Sequence, residues 1–444
     1  MSDPQNPDAP KVPEEPTVPV EPDAPVVPPA PEEPTVPSEP EPTFPAPEEP
    51  STGELTVWLV GTDTPQTARD YLVDTFAEEN EGWTLAIEEK TWDDVSNTYT
   101  AALASNDAPD VVEVGNTQAL GFADAGLFAS LADIEGDLGE LVGGLVDAGT
   151  YDGELYAAPY YAGGRIVFYT PQIVGDELPK TLEEYVAQGK ELKTDTVSGI
   201  FAPGKDWYNA LPYVWAQGGE IAVQDGDTWD AQFSSDESLT GLEMLQDVYL
   251  NASAAPVDGN ERLGNIAFCA GEVGFLSSPA WAEGNLTGAW PWGDEAAGEE
   301  VSQGCPDTYA KDLSAFALPG LEEGTTAPIF AGGSNIAVTT KSDAPEKAKS
   351  ALKIMLSAEY QELLAAQGLV PGLVEAASAL PDTASAKAQG EALANSKGTP
   401  ASPKWSEVEA AQLIPDALVK IAQGGDVAAI ATELDEAIEA ILND

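Results

Sequence analysis

Histidine is absent from all 444 residues, which removes the usual general base of serine and cysteine nucleophile systems and the commonest zinc ligand together. Cysteine is nearly absent as well. Cys269 and Cys305 are the whole supply, too few for a structural zinc site. In a chain that reads as exported, an isolated even pair is expected as one disulfide, with two free buried thiols as the alternative. Positive charge is scarce: 18 Lys and Arg against 77 Asp and Glu give a formal charge of −59. Such a balance repels nucleic acid and anionic membrane surfaces and admits a neutral or cationic small ligand. Its first effect is to keep a secreted protein soluble. No run of 18 or more apolar residues occurs, so no segment reads as a membrane-spanning helix. The opening Met-Ser-Asp-Pro has no charged and apolar leader, and a targeting segment is expected to have been cleaved or to lie outside this sequence.

What the chain has in excess is proline, concentrated at one end. From Pro4 to Pro40 a proline stands at every third position, with Glu, Asp, Val, Thr and Ala between. That period matches a polyproline II helix, whose backbone is solvated and which builds no core. Residues 1–54 are expected to form a disordered Pro/Glu-rich stalk, extended by like charges and reaching on the order of 150 Å at about 3.1 Å per residue. A spacer that lifts the body off a membrane anchor fits better than an SH3-type ligand, which would want nearby Arg or Lys.

Strand and helix alternate from Leu55 onward. LTVWLV reads as a strand, ARDYLVDTFAEE as a helix, WTLAIEEKTW as a strand, Asp93 to Ser105 as a helix and Pro109 to Val114 as a strand. Such alternation predicts a parallel, doubly wound α/β sheet that binds ligands at the carboxyl ends of its strands. Here those ends are the loops at Thr62-Asp63, Thr91-Trp92 and Gly115-Asn116-Thr117, which should share one rim. Length favours two lobes. The stretch YDGELYAAPYYAGGRIVFYT, from Tyr151 to Thr170, is the expected crossing: a turn, an apolar run, Tyr161, a loose Ala162-Gly163-Gly164 hinge, then Arg165 and a buried strand. Beyond it, Leu182 to Leu192 reads as a helix, Ser235 as the cap of another, and EVGFL as an apolar strand that ends shortly before Trp281. The Gly-rich piece from Gly284 to Gly304 reads as a surface excursion.

In this order the chain carries PDVVEVG, LPKTLEEY, VWAQGGEI, FCAGEVGFLSSPAW, FAGGSNIAV and PEKAKSALKIMLSAEYQELLAAQGLVPG. The ordered set resembles the extracellular solute-binding proteins (family 1, sugar-binding type) of ABC transporters, the broad family that includes maltose-binding protein. That resemblance implies a two-lobed, type II periplasmic-binding-protein-like fold in which each lobe is a doubly wound sheet and a hinge joins them. It also implies discontinuous lobes, with residues 55–164 and 327–372 in the first and 165–326 and 373–444 in the second.

Ten Trp and thirteen Tyr suit a sugar site, because an aromatic face covers the C–H face of a pyranose while polar groups take its rim. Trp207, Tyr208 and Trp281 fall in apparent loops and match by motif the family's stacking positions; Trp92 and Trp405 are further candidates. Thr62, Asp63, Asn116, Tyr161, Arg165 and Asn335 are the candidate polar partners, with Arg165 available to donate to hydroxyls or to neutralise Asp63. A structural ion pair is the other reading of Arg165. Gly332-Gly333 has no phosphate-loop pattern and suits close backbone approach to a neutral ligand. Asp225-Gly226-Asp227 lacks the remaining ligands of a calcium loop and reads as a turn. Relatives of the maltose-binding type place a carboxylate at the crossover where this chain has Gly163, so the sugar's identity stays open. The expected protein is a monomeric receptor without cofactor or metal, tethered outside the cell as a lipoprotein. It closes on a small neutral di- or oligosaccharide and delivers it to ABC permease subunits. A secreted glycosidase or transglycosylase and a cell-wall-tethered structural module are the alternatives.

Overall fold

The computed structural model describes residues 52–226, 228–261, 264–288, 304–306 and 312–444. The Pro-rich stalk, apart from its last three residues, and most of the excursion after Gly288 lie outside them. Strand Gly53–Val60 pairs in parallel with Trp83–Lys90 on one side and Val111–Gly115 on the other. Its inner residues are buried on both faces. Leu55, Val57 and Leu59 pack with Leu72, Phe76, Leu352, Met355 and Tyr360. Trp58 and Val60 point the other way, toward Tyr99, Val114, Phe122 and Phe128. This two-sided burial explains the near-continuous apolar run of LTVWLV.

The sheet is mixed, not parallel throughout. Val111–Gly115 is followed by the antiparallel Ile329–Val338, and that strand pairs antiparallel with Ala157–Tyr169. The latter is 13 residues long and serves two neighbourhoods. Its first half faces Ile329–Val338; its second half pairs with Val273–Pro279, which in turn lies parallel to Ser198–Ile200. The hydrogen-bond ladder therefore runs through without a break. Beyond the second half of this strand a separate core gathers Val167, Tyr185, Leu211, Val214, Leu242, Phe275, Leu418 and Ile438. A further cluster, including Ile166, Phe168, Phe268, Leu276 and Leu286, covers the opposite face.

The crossing corrects the expectation of a loose hinge. Ala162, Gly163 and Gly164 are buried residues in mid-strand, and Gly332 and Gly333 lie opposite Gly163 and Ala162. Glycine is required there by contact. A Cβ built on Gly163 would lie 2.1 Å from Cζ3 of Trp281, and one on Gly333 would lie 2.4 Å from the Tyr161 carbonyl oxygen. The ladder shifts register between Ser334 and Asn335, just past this crossing, and such bulges re-aim side chains.

Several helices begin where the sequence offers a capping hydroxyl. Leu182–Leu192 is capped by Thr181 and Asp236–Asn251 by Ser235. The helix expected over Asp93 to Ser105 is instead two, Trp92–Asn97 and Tyr99–Leu103, parted at Thr98. Asp225-Gly226 sits at the tip of a hairpin, with Gly226 at φ +63°. The excursion after Trp281 starts as a helix, Ala282–Thr287, ended by the left-handed Gly288. Cys269 and Cys305 form a disulfide with Cα atoms 4.5 Å apart. Unfolding in denaturant without reductant should accordingly expose no thiol to alkylation, and a mass gain for two alkylated cysteines would contradict the bond. No helix among the described residues is long and apolar enough to cross a membrane.

Candidate functional site

Three parallel strands end at one place. The turn after Val60 is held by Arg69, whose Nε donates to the Thr64 carbonyl at 2.9 Å and whose Nη2 donates to that of Gly61 at 2.6 Å. This presents Asp63. Thr91 caps the helix that begins at Trp92, accepting from the Asp94 amide at 3.1 Å, and the Trp92 indole donates to Asp63. After Gly115, the Asn116 amide donates to the Gly333 carbonyl at 3.1 Å and its side chain to the Ala331 carbonyl at 3.0 Å. The three loops thus line one cavity of about 300 Å³, completed by Tyr161, Arg165, Tyr208, Trp281 and the Gly332-Gly333 backbone.

Asp63 lines this cavity, and a second carboxyl, Glu113, lies buried beneath Tyr161 without lining it. The Tyr161 hydroxyl lies 2.8 Å from Glu113 Oε1 and 3.2 Å from Asp63 Oδ2. Glu113 Oε2 accepts from the Val60 amide at 2.8 Å. Glu113 is wholly inaccessible to solvent; burial, aided by the nearby Asp63 charge, pushes its carboxyl up to about 7. Burial likewise raises Asp63 to about 6, against the hydrogen bonds from Tyr161 and Trp92.

Arg165 does not neutralise Asp63. Its Nη1 donates to Glu261 Oε2 at 2.6 Å, and its guanidinium stacks over the Tyr208 ring with 4.9 Å to the centroid. It is 6% exposed, so the ion pair is the structural reading realised, while Glu261 remains on the cavity wall.

A second cavity, of about 510 Å³, adjoins the first, sharing Gln118 and Tyr208 with it. Trp207, Trp405 and Glu409 lie along it. Trp207 and Tyr208 are not in a loop: Asp206 caps a helix over Trp207–Ala216, accepting from the Asn209 amide at 3.3 Å. That buries most of Trp207, whose ring lies 4.2 Å from that of Tyr208 and 6.3 Å from that of Trp405. Trp405, 1% exposed, belongs chiefly to the core. Its Nε1 donates to Glu409 Oε1 at 3.1 Å, and Thr117, from the loop after Val111–Gly115, donates to Glu409 Oε2 at 3.0 Å. Burial raises the Glu409 carboxyl to about 7.

Two sequence candidates fall outside both cavities. Thr62 is exposed on its turn and lines neither. Asn335 is fully buried, and its side-chain amide donates to the Leu145 and Ala157 carbonyls at 3.0 and 2.9 Å, holding the crossing together. Sequence reasoning misses three carboxyls: Glu261 and Glu409, which line the cavities, and Glu113, buried beneath Tyr161. Only Glu113 leaves a trace there, as the one charged residue inside the apolar strand VVEVG.

Comparison with known proteins fits this geometry. The model of the bacterial extracellular solute-binding protein family matches residues 71–393. The diacetylchitobiose binding protein DasA of Streptomyces coelicolor is 31% identical over 369 residues, covering 80% of this chain and 81% of that protein. The GacH receptor of Streptomyces glaucescens, whose structures include acarbose complexes, superposes with TM-score 0.73 at 18% identity, over 88% of this chain and 99% of its own. The sugar-binding protein MalE of Xanthomonas citri gives TM-score 0.72 at 20% identity, over 88% and 97%. The two-lobed fold is therefore that of the MalE-like binding proteins, and the chain belongs to the bacterial extracellular solute-binding protein family.

Proposed function

We propose that this protein captures a di- or oligosaccharide between its lobes and hands it, chemically unchanged, to the permease of an ABC transporter. The observation that carries the reading is the pair of adjoining cavities at the strand ends, where the aromatic residues Trp92, Tyr208 and Trp281 line the wall beside hydrogen-bonding groups. Aromatic faces with a sparse polar set are what a pyranose needs. The relation to a diacetylchitobiose binding protein agrees with it. Binding without hydrolysis is favoured by the relation to solute-binding proteins, and Glu113, the close carboxyl neighbour of Asp63, is sealed beneath Tyr161 out of reach of a sugar. Glycosidases set two carboxyl groups on either side of the bond they break. The lobes are taken as residues 55–164 with 327–372 and 165–326 with 373–444, turning about the crossing strands Ala157–Tyr169 and Ile329–Val338. Residues 1–54 are taken as the spacer to a lipid anchor outside the cell.

A thermal-shift screen of neutral and amine-bearing oligosaccharides tests capture, since a ligand that binds only the folded chain raises its melting temperature. Incubation with each hit, followed by sugar analysis, should return it intact; cleavage would favour the glycosidase. Closure should show as a smaller radius of gyration by X-ray scattering in saturating sugar, measured on the chain from Glu49 onward. An unchanged radius would argue against lobe movement.

A further inference from the structure

The larger cavity is rich in acceptors and poor in cations. Among the described residues lining the two cavities, the acids are Asp63, Glu261, Glu407 and Glu409, and the base is Arg165, which Glu261 already occupies. Glu409 stands apart from Asp63 and Glu261. Asp63 has the Arg69 charge nearby and Glu261 has Arg165, whereas Glu409 is held by two neutral donors, the Thr117 hydroxyl and the Trp405 indole. Two such bonds leave about half of a carboxylate's acceptor positions open. Gln118 lines both cavities, and its Oε1, sealed from solvent, has no hydrogen-bond partner among the described residues. Around these acceptors stand the rings of Trp207, Tyr208 and Trp405.

A desolvated carboxylate whose described partners are all neutral is relieved either by a proton or by a cation beside it. An ammonium group meets the need, because it supplies three donors and a positive charge and is compatible with aromatic neighbours. We infer that the sugar captured here is an amino sugar, and that Glu409 receives its ammonium group in the larger cavity. The inference rests on the sugar-capture reading and narrows it: the amine, not the pyranose face, distinguishes this ligand from other oligosaccharides.

The test compares three β-1,4-linked disaccharides on the full chain by calorimetry: glucosamine disaccharide, its N,N′-diacetyl form, and cellobiose. The free amine should bind about tenfold to a hundredfold more tightly than cellobiose, the range expected of a charge-assisted hydrogen bond. Added salt should narrow that gap. Glu409→Gln keeps an acceptor for the Trp405 indole and can donate its amide to the Thr117 hydroxyl, and in it the ratio of amine to cellobiose affinity should fall toward one. Circular dichroism melts establish that the variant is folded. Equal or tighter binding of the diacetyl form or cellobiose overturns the inference, as does a Glu409→Gln variant that weakens all three by the same factor or fails to fold while Glu409→Asp folds and keeps no preference. If the amine does not bind but a neutral sugar does, the amino-sugar inference fails and sugar capture stands. If no sugar in the wider thermal screen binds, sugar capture itself fails.

Discussion

Glu113→Gln should stabilise the unliganded protein at pH 7 by up to about 3 kcal/mol. The carboxyl of Glu113 rises from 4.5 unfolded to about 7 folded because it is buried beside Asp63. A raised carboxyl binds its proton more strongly in the native state. Its contribution is therefore complete below the unfolded value and is lost as pH climbs toward the folded one, at about 1.4 kcal/mol per pH unit for one proton. Across that window the loss approaches about 3 kcal/mol. Glutamine has no proton to lose, and its amide can still accept from Val60 and donate to the Tyr161 oxygen. Asp63 and Glu409 are raised for the same cause, so wild-type stability should decline from about pH 4.5 to about pH 7. Surface acids such as Asp94 and Asp133, held low by their donors, act below that window. Urea melts at several pH values measure the slope. A wild type equally stable at pH 5 and pH 7, or a variant with the same slope, would refute the assignment.

Trp281→Ala should weaken sugar binding about thirtyfold. A sugar covering about 80 Å² of the ring, at about 25 cal/mol per Å², gains about 2 kcal/mol. The ring is positioned by the end of strand Val273–Pro279 and by the helix that starts at Ala282, with the indole against Gly163 and bordering the smaller cavity. The sequence alone suggests a ring clear of the core. In the structure Trp281 also packs against the core around strand Gly53–Val60, so the empty variant should lose about 1–2 kcal/mol of stability as well. Calorimetry below the melting temperature separates the two effects. Affinity within about twofold of wild type would remove Trp281 from the site.

The elements are legible wherever one face or one cap decides them. LTVWLV, the Ser235 cap and the Cys269 and Cys305 pair depend on local pattern or on a lone pair of residues. The loops at Asp63, Trp92 and Asn116 can be placed on a common rim because a sheet brings strand ends together. Long-range pairing leaves no local signal. Ala162-Gly163-Gly164 reads as a flexible tripeptide until Trp281, far along the chain, comes to lie on Gly163. Arg165 could face Asp63 as well as Glu261, and nothing between Asn260 and Leu263 marks the latter as its partner. Asn335 reads as a polar group near a ligand but serves two backbone carbonyls beside the register shift. Trp207 reads as exposed because it follows Gly204 and Lys205, yet Asp206 begins a helix there.

The contact between Gly163 and Trp281 restricts the order in which this site can change. With Cζ3 only 2.1 Å from where a Cβ would be, any side chain at position 163 evicts the indole, whereas a smaller residue at 281 vacates the space first. Substitutions at the two positions should be strongly non-additive: Gly163→Ala alone is costly, and far less so once Trp281 has been reduced. A lineage or a designer moving this cleft toward a side chain at the crossover has one passable route, through loss of the ring, and the reverse route back to this protein ends with the glycine put in place before the tryptophan.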